Sequence, residues 1–136
     1  MNILLVEDDD QFCETLNLFF SQPALKDKKF KLYVSKTTTD AFVKLRNQRF
    51  DIVLLDLHVG SANGGQVIAS VREDKGHLNF NTPFLVVSGY LNPVTISKLT
   101  KFTQGFLVKP IEPKILLEKI VAVAAAAKVA AAQPKK

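Results

Sequence analysis

The sequence predicts an α/β fold in which helices cover a parallel β-sheet. Short runs of aliphatic and β-branched residues recur along the chain without polar interruption, which is typical of strands buried on both faces. These runs cover residues 3–6, 52–55, 84–87 and 106–108. Helical patterns separate them, so we expect right-handed crossovers and a doubly wound sheet. A chain of 136 residues with 47% hydrophobic residues is sufficient for one domain with a substantial core.

The first half of the chain alternates strand and helix. Residues 30–35 alternate apolar and polar side chains, as an edge strand does. Pro23 lies just past the first helix, and Thr38 or Thr39 is available to cap the second. The predicted elements are strand Asn2–Val6, helix 9–21, strand 30–35, helix 38–48 and strand 51–56.

The second half continues the same alternation. Gly60, Asn63, Gly64 and Gly65 predict a flexible loop before the third helix. The fourth helix has few apolar residues, so we expect it to be short and loosely held. Pro113 occupies the favoured first position of the last helix. The predicted elements are helix 66–73, strand 83–88, helix 93–102, strand Gly105–Val108 and a final helix from Pro113.

The final helix has one apolar stripe and then an alanine-rich end. Leu116, Ile120 and Val123 are spaced to lie on one face against the sheet. Residues 124–132 are mostly alanine, which has high helix propensity but little surface to bury. We therefore predict a domain over residues 1–123 and an Ala-rich helical extension or linker over residues 124–136. A dimer contact and a frayed end are both open for this segment.

Composition argues against several classes of protein. Cys13 is the only cysteine, so neither a disulfide framework nor a thiolate metal site is expected, and a reducing cytoplasm is the expected location. The chain has no apolar run of membrane-spanning length, and its start reads as a strand rather than a leader. Its net charge is +5, but three lysines lie in the tail and no arginine cluster occurs, so direct nucleic-acid binding is not expected.

Charged and hydroxyl side chains directly follow the predicted strands. An acidic run beginning with Glu7, Asp8 and Asp9 follows the first strand, Asp56 the third, Ser88 the fourth and Lys109 the last. The carboxyl ends of parallel strands meet at one edge, where sites form in open α/β sheets. Carboxylates that crowd together require a cation, and a hard divalent metal bound through oxygen is the natural candidate.

With these motifs the sequence resembles the receiver domain of bacterial two-component response regulators, over about residues 2–123. The matching motifs are Val-Glu-Asp-Asp at 6–9, Asp56 with Gly64, Ser88-Gly89, and Phe-Leu-Val-Lys-Pro at 106–110. Asp8, Asp56, Ser88 and Lys109 are separated in turn by 48, 32 and 21 residues, which suits that family. The resemblance implies a flavodoxin-like three-layer sandwich with five helices and five parallel strands in the order 2-1-3-4-5.

The resemblance also implies a metal-dependent phosphoacceptor. Asp56 would receive the phosphoryl group, with Mg²⁺ offsetting the repulsion between two anions. Asp8 would bind the metal directly and Glu7 through water. Asp56 and the backbone carbonyl of His58 would complete the protein ligands. Asp9 would instead cap the first helix, where a carboxylate suits the positive helix end.

Two further motif residues would contact the phosphoryl group itself. The Ser88 hydroxyl would donate a hydrogen bond to a phosphoryl oxygen, with Gly89 leaving room for the group. Lys109 would pair with a carboxylate before phosphorylation and with a phosphoryl oxygen afterwards. Pro110 resembles the cis proline of the family.

Some positions concern the rate and the switch. The resemblance implies that His58 and Tyr90 tune how fast water removes the phosphoryl group. Phe106 occupies the switch position where Tyr is common, and a Phe there is expected to favour a buried rotamer. Gly60 stands where the family usually has Pro, so the loop would cost more entropy to order.

The leading functional hypothesis is a phosphoacceptor switch. It would take a phosphoryl group from a histidine kinase or histidine phosphotransfer protein and change the surface offered to a downstream effector protein or domain. It would catalyse only its own phosphorylation and dephosphorylation, and a homodimer is open. One alternative is an interaction module that does not depend on phosphorylation. A remote alternative is a phosphatase with an aspartyl nucleophile, which would want an acid where His58 stands.

Overall fold

The computed structural model describes residues 1–132 and contains a five-stranded parallel sheet. In chain order the strands are β1 Asn2–Val6, β2 Lys31–Ser35, β3 Ile52–Leu55, β4 His58–Val59, β5 Ala62–Asn63, β6 Phe84–Ser88 and β7 Gly105–Val108. The sheet has the order β2-β1-β3-β6-β7, and β4 and β5 form a separate antiparallel pair. Counted among the sheet strands alone, this order is 2-1-3-4-5. The predicted flavodoxin-like fold is therefore confirmed.

The helices lie on both faces of the sheet, and the sheet divides the core into two layers. They are α1 Asp10–Phe20, α2 Thr38–Asn47, α3 Gly65–Arg72, α4 Pro93–Leu99 and α5 Pro113–Ala132. On one face, β1, β3 and β6 pack against α2 and α3, with Leu45 and Ile68 fully buried. On the other face, the same strands pack against α1 and α5, with Leu16 and Leu116 almost fully buried. Successive side chains of a buried strand alternate between these layers, which explains the continuous apolar runs.

Several predicted boundaries shift by one to three residues, and one cap is wrong. The side chain of Thr37, rather than Thr38 or Thr39, caps α2 by accepting from the Asp40 amide at 3.0 Å. Helix α4 ends at Leu99 and has no buried residue. A 3-10 helix over Pro23–Lys28, which was not predicted, links α1 to β2. Single polar residues decide where these helices begin and end, and the spacing of apolar residues does not reveal such boundaries.

The glycine-rich segment after β3 forms a hairpin instead of the expected flexible loop. Strands β4 and β5 are joined by Gly60 and Ser61, and Gly60 has a φ of +61°. A two-residue hairpin loop with glycine first is a favoured tight turn, because glycine adopts positive φ without strain. Val59 is buried in the core and holds the hairpin against the domain.

Helix α5 continues through the predicted domain boundary. Leu116, Ile120 and Val123 are buried as expected, and Ala124 is buried as well. The helix runs unbroken to Ala132, so the alanine-rich residues up to that point are helical. The last four residues of the predicted tail lie outside the described part of the chain. Within residues 1–132, no helix combines the length and apolarity needed to cross a membrane.

Candidate functional site

The backbone ladder continues one residue beyond three of the strands and so fixes the predicted side chains at one edge. The Glu7 amide donates to Ser35, the Asp56 amide to the Val6 carbonyl, and the Lys109 amide to the Ser88 carbonyl. Ser88 is itself the last residue of β6. Side chains separated by up to 102 residues therefore meet at the carboxyl edge of the sheet.

Lys109 lies between two buried carboxylates. Its ammonium forms an ion pair with Glu7 Oε1 and another with Asp56 Oδ2, the latter at 2.9 Å. Burial alone would lower the pKa of Lys109, but the hydrogen bonds that its ammonium donates to the two carboxylates raise this pKa overall. Lys109 is therefore a fixed positive charge at neutral pH, and it holds together two acids that would otherwise repel each other.

Asp56 is an ionised carboxylate with three hydrogen-bond donors. Oδ1 accepts from the His58 amide at 2.9 Å and from the Ser88 hydroxyl at 3.2 Å. Burial would raise the pKa of Asp56, but these two donors together with Lys109 lower it overall. Asp56 is only 8% exposed. Its donors therefore maintain a negative charge at a position with little access to solvent.

Glu7 is buried and fully engaged by the protein. Its Oε2 accepts from the amides of Asp8 and Asp9 at 3.1 and 3.3 Å, while Oε1 pairs with Lys109. Burial raises the pKa of Glu7, and the Lys109 hydrogen bond opposes this shift only in part. Of the two acids beside Lys109, Glu7 is thus the one that takes up a proton more readily.

Asp8 and Asp9 form no ion pair with Lys109, and their side chains have different roles. Asp9 is the N-cap of α1 and accepts from the Gln11 amide at 3.1 Å, as predicted. Asp8 is exposed, and its Oδ2 accepts from the Gly60 amide at 2.7 Å. Asp9 is therefore engaged by the helix, whereas Glu7 bonds Lys109 and Asp8 bonds the Gly60 amide.

Beside Asp56, a cleft of about 590 Å³ separates the hairpin and α3 from α4. His58 and Tyr90 line it, and Tyr90 is 66% exposed. Both residues therefore line one cleft, whose lining also includes Leu57, the residue that follows Asp56. An ideal Cβ built on Gly89 would contact nothing within 4 Å. There is accordingly open space next to Ser88.

Two aromatic features and one peptide bond complete the edge. Phe106 is half-buried against the core on β7, where it pairs with Val86 of β6. The Lys109–Pro110 peptide is cis, as the resemblance implies. The Phe12 ring, which the sequence did not single out, lies 4.6 Å from the Lys109 ammonium. Its cation–π contact supports the lysine from the first turn of α1.

The donor chemistry of this edge fits a hard divalent cation. Glu7, Asp8 and Asp56 contribute three formal negative charges and Lys109 one positive charge, so two negative charges remain. Within residues 1–132, no group of three or more His, Cys, Asp or Glu side chains forms a metal-binding cluster. Mg²⁺ does not need such a cluster, because it commonly takes one or two carboxylates and keeps several waters. Asp8 and Asp56 are the carboxylates suited to that role.

Comparisons with known proteins agree with the fold and with the motifs. A family model described as the response regulator receiver domain matches residues 3–121. The DNA-binding response regulator MtrA of Mycolicibacterium paratuberculosis is 29% identical over 119 residues, which are 87% of this chain and 48% of MtrA. The chain spans half or less of the length of this and other curated relatives that it matches.

Two solved receiver domains show the same architecture. A CheY-like receiver domain protein from Methanospirillum hungatei JF-1 superposes with a TM-score of 0.80 at 20% identity, covering 93% of this chain and 95% of the other. The receiver domain of sensor histidine kinase PA1611 from Pseudomonas aeruginosa PAO1 gives 0.75 at 15% identity, covering 91% and 97%. That structure is described with a magnesium ion coordinated in its active site cleft.

Proposed function

Because the chain belongs to the response regulator receiver domain family of two-component systems, we propose that it is a phosphoacceptor switch in which Asp56 receives the phosphoryl group. Asp56 carries the proposal, since it is a buried carboxylate kept ionised by three donors. A carboxyl group that served only the core would be neutral or fully neutralised by its partners. Here the edge retains negative charge in excess of Lys109.

The transfer is a displacement at phosphorus. A carboxylate oxygen of Asp56 forms a bond to phosphorus while the nitrogen–phosphorus bond of a phosphohistidine breaks, and the released imidazole nitrogen takes a proton from solvent. Bound Mg²⁺ would reduce the repulsion between the carboxylate and the phosphoryl oxygens. Asp8 and Asp56 would bind it directly. Glu7 would act through water, and the backbone carbonyl of His58 would be a further ligand. Lys109 and the Ser88 hydroxyl, already within reach of Asp56, would move their bonds to the new phosphoryl oxygens.

The switch follows from the same contacts. Ser88 donates to Asp56 at 3.2 Å before phosphorylation, and its hydroxyl would turn toward the phosphoryl group afterwards. Phe106 lies below it on β7 and would move farther inward. The adjacent helix α4 has no buried residue, so little core packing resists a shift of this helix.

The partners we propose are a histidine kinase or histidine phosphotransfer protein as donor and an effector protein or domain as receiver of the signal, in the cytoplasm. Exposed apolar side chains near the switch offer a surface for the effector or for a second copy. Val94, Val108 and Ile115 are between 48% and 63% exposed. Residues 124–132, which continue α5, would offer a contact to a further domain or a dimer partner.

A small phosphodonor tests this function without knowledge of the kinase. The protein is incubated with phosphoramidate, with and without Mg²⁺, and its intact mass is measured. One added phosphoryl group is expected in Mg²⁺ and almost none after chelation. Asp56→Asn should abolish the addition. Asp9→Asn, which keeps a helix-capping side chain, is the matched control and should label like the wild type.

Two outcomes would contradict the proposal. Labelling of Asp56→Asn at the wild-type level would remove Asp56 as the acceptor. No labelling of the folded wild-type protein in Mg²⁺ would favour the interaction module that works without phosphorylation.

A further inference from the structure

The backbone amide of Gly60 contacts the one carboxylate of the acidic edge that Lys109 does not touch. The distance from Gly60 nitrogen to Asp8 Oδ2 is 2.7 Å, across 52 residues of sequence. Within residues 1–132, Oδ1 of Asp8 has no hydrogen-bond partner, and the residue is exposed. The contact therefore uses one oxygen of Asp8 and leaves the other available.

The hairpin aims this amide by three separate means. Val59 is buried in the core, which fixes the first strand of the hairpin. The His58 amide donates to Asp56, which fixes its base. At the far end, Gly64 packs on the backbone of Asp56, where an added Cβ would come within 2.3 Å of the carbonyl oxygen. The hairpin thus bonds both carboxylates through backbone amides.

The turn itself depends on the residue at position 60. Its φ of +61° is the left-handed region, which proline cannot adopt because its ring fixes φ near −65°. Proline also lacks the N–H that meets Asp8. A chain with proline at this position therefore has neither this turn nor this contact.

We propose that Gly60 is a positioning residue whose amide orients Asp8 for the divalent cation, a role that rests on the proposed function. A carboxylate has room for several partners, so an N–H on Oδ2 does not block metal binding by Oδ1. Fixing the rotamer of Asp8 in advance lowers the entropy lost on binding. Hydrogen bonds to metal-ligating carboxylates typically contribute 10- to 100-fold to metal affinity.

An amide-to-ester replacement at residue 60 removes the N–H and leaves the glycine geometry in place. The dissociation constant of Mg²⁺ is measured by NMR titration, with no phosphodonor present. We expect the ester to weaken Mg²⁺ binding by about tenfold. Gly60→Pro removes both the N–H and the turn and should weaken binding at least as much.

Gly60→Asn is the matched control that keeps the amide. Asparagine tolerates positive φ, and an added Cβ at this position meets nothing within 4 Å. The Mg²⁺ affinity of this variant should stay within about twofold of the wild type, a much smaller change than the tenfold loss expected for the ester.

The outcomes separate this inference from the function beneath it. Wild-type Mg²⁺ binding together with an unchanged affinity in the ester overturns the positioning role and leaves the proposed function standing. An equal loss in the ester and in Gly60→Asn would also overturn it, because the hairpin and not the N–H would then matter. Failure of the wild-type protein to bind Mg²⁺ would overturn the proposed function, and the positioning role with it.

Discussion

At the carboxyl edge of the sheet, Lys109 forms ion pairs with two buried carboxylates. At the amino edge, where the strands begin, Asn79 forms hydrogen bonds mainly with backbone groups. Asn79 is fully buried. Its Oδ1 accepts from the Phe50 amide at 2.8 Å, and its Nδ2 donates to the Leu45 and Gln48 carbonyls at 2.6 and 2.8 Å. The Thr82 hydroxyl completes the set at 2.8 Å. Each atom of this amide has a partner that cannot titrate.

Arg72 also forms its hydrogen bonds with backbone groups at the amino edge. Its guanidinium donates to the carbonyls of Phe80, Thr82 and Phe102 and lies 5.0 Å from the centre of the Phe84 ring. It joins α3 to the start of β6 and to the segment before β7. The charge is distributed over dipoles and a ring face, with no acid in the cluster.

The difference between the edges shows what each is for. Bonds that end on backbone carbonyls are lost only when the chain unfolds, so the amino edge stabilises the fold. Bonds that end on ionised side chains can be exchanged for bonds to a ligand while the fold persists. The carboxyl edge also has excess negative charge, which a cation can offset. Buried polar groups therefore indicate a site when their partners are side chains of unbalanced charge.

The largest effect should come from breaking the amino edge. Asn79→Ala leaves several buried backbone groups and the Thr82 hydroxyl without partners, each costing about 1–3 kcal/mol. We expect the free energy of unfolding to fall by about 4 kcal/mol, measured by urea denaturation. Asp56→Asn at the other edge should change it by less than about 1 kcal/mol, since Lys109 retains Glu7 and a like charge is removed. Equal losses would erase the distinction.

A smaller loss is expected from Lys109→Met. Two buried carboxylates lose their counter-charge, which costs about 3 kcal/mol at pH 7. Lys109 opposes the rise in the pKa of Glu7 that burial causes, so removing Lys109 raises this pKa further and the folded variant binds protons more readily than the folded wild type. The loss should therefore shrink as pH is lowered toward 5. The exposed pair Lys36–Asp10 supplies the control, because Lys36→Met should change stability little at either pH.

The smallest expected effect is the stabilisation that Mg²⁺ gives by binding at the carboxyl edge. Mg²⁺ at ten times its dissociation constant should add about 1.4 kcal/mol to the free energy of unfolding by mass action. Thermal melts with and without Mg²⁺ should show this gain in the wild type and lose it in Asp8→Asn. Asp9→Asn should keep it. If Asp9→Asn lost the gain and Asp8→Asn kept it, the acidic pair would be Asp8 and Asp9 instead.

The sequence predicted the sheet order and the carboxyl edge, but neither the hairpin nor the amino edge. Asp56, Ser88 and Lys109 each follow a continuous apolar run, so the position of the strand also gives the position of the side chain. The hairpin strands have two residues each, too few for any period to appear. Asn79 lies in a segment that looks like a solvated polar loop, and its burial comes only from tertiary packing. Polar residues without a pattern carry no sequence signal of burial.

The most direct test identifies the residue that carries the phosphoryl group. After treatment with phosphoramidate and Mg²⁺, borohydride reduces an acyl phosphate on aspartate to homoserine, and peptide mass spectrometry locates the change. We predict homoserine at position 56 alone, at a level that falls when Mg²⁺ is removed. Reduction at Glu7, Asp8 or Asp9, or a label on His58 with Asp56 unmodified, would contradict the assignment of Asp56 as the phosphoacceptor.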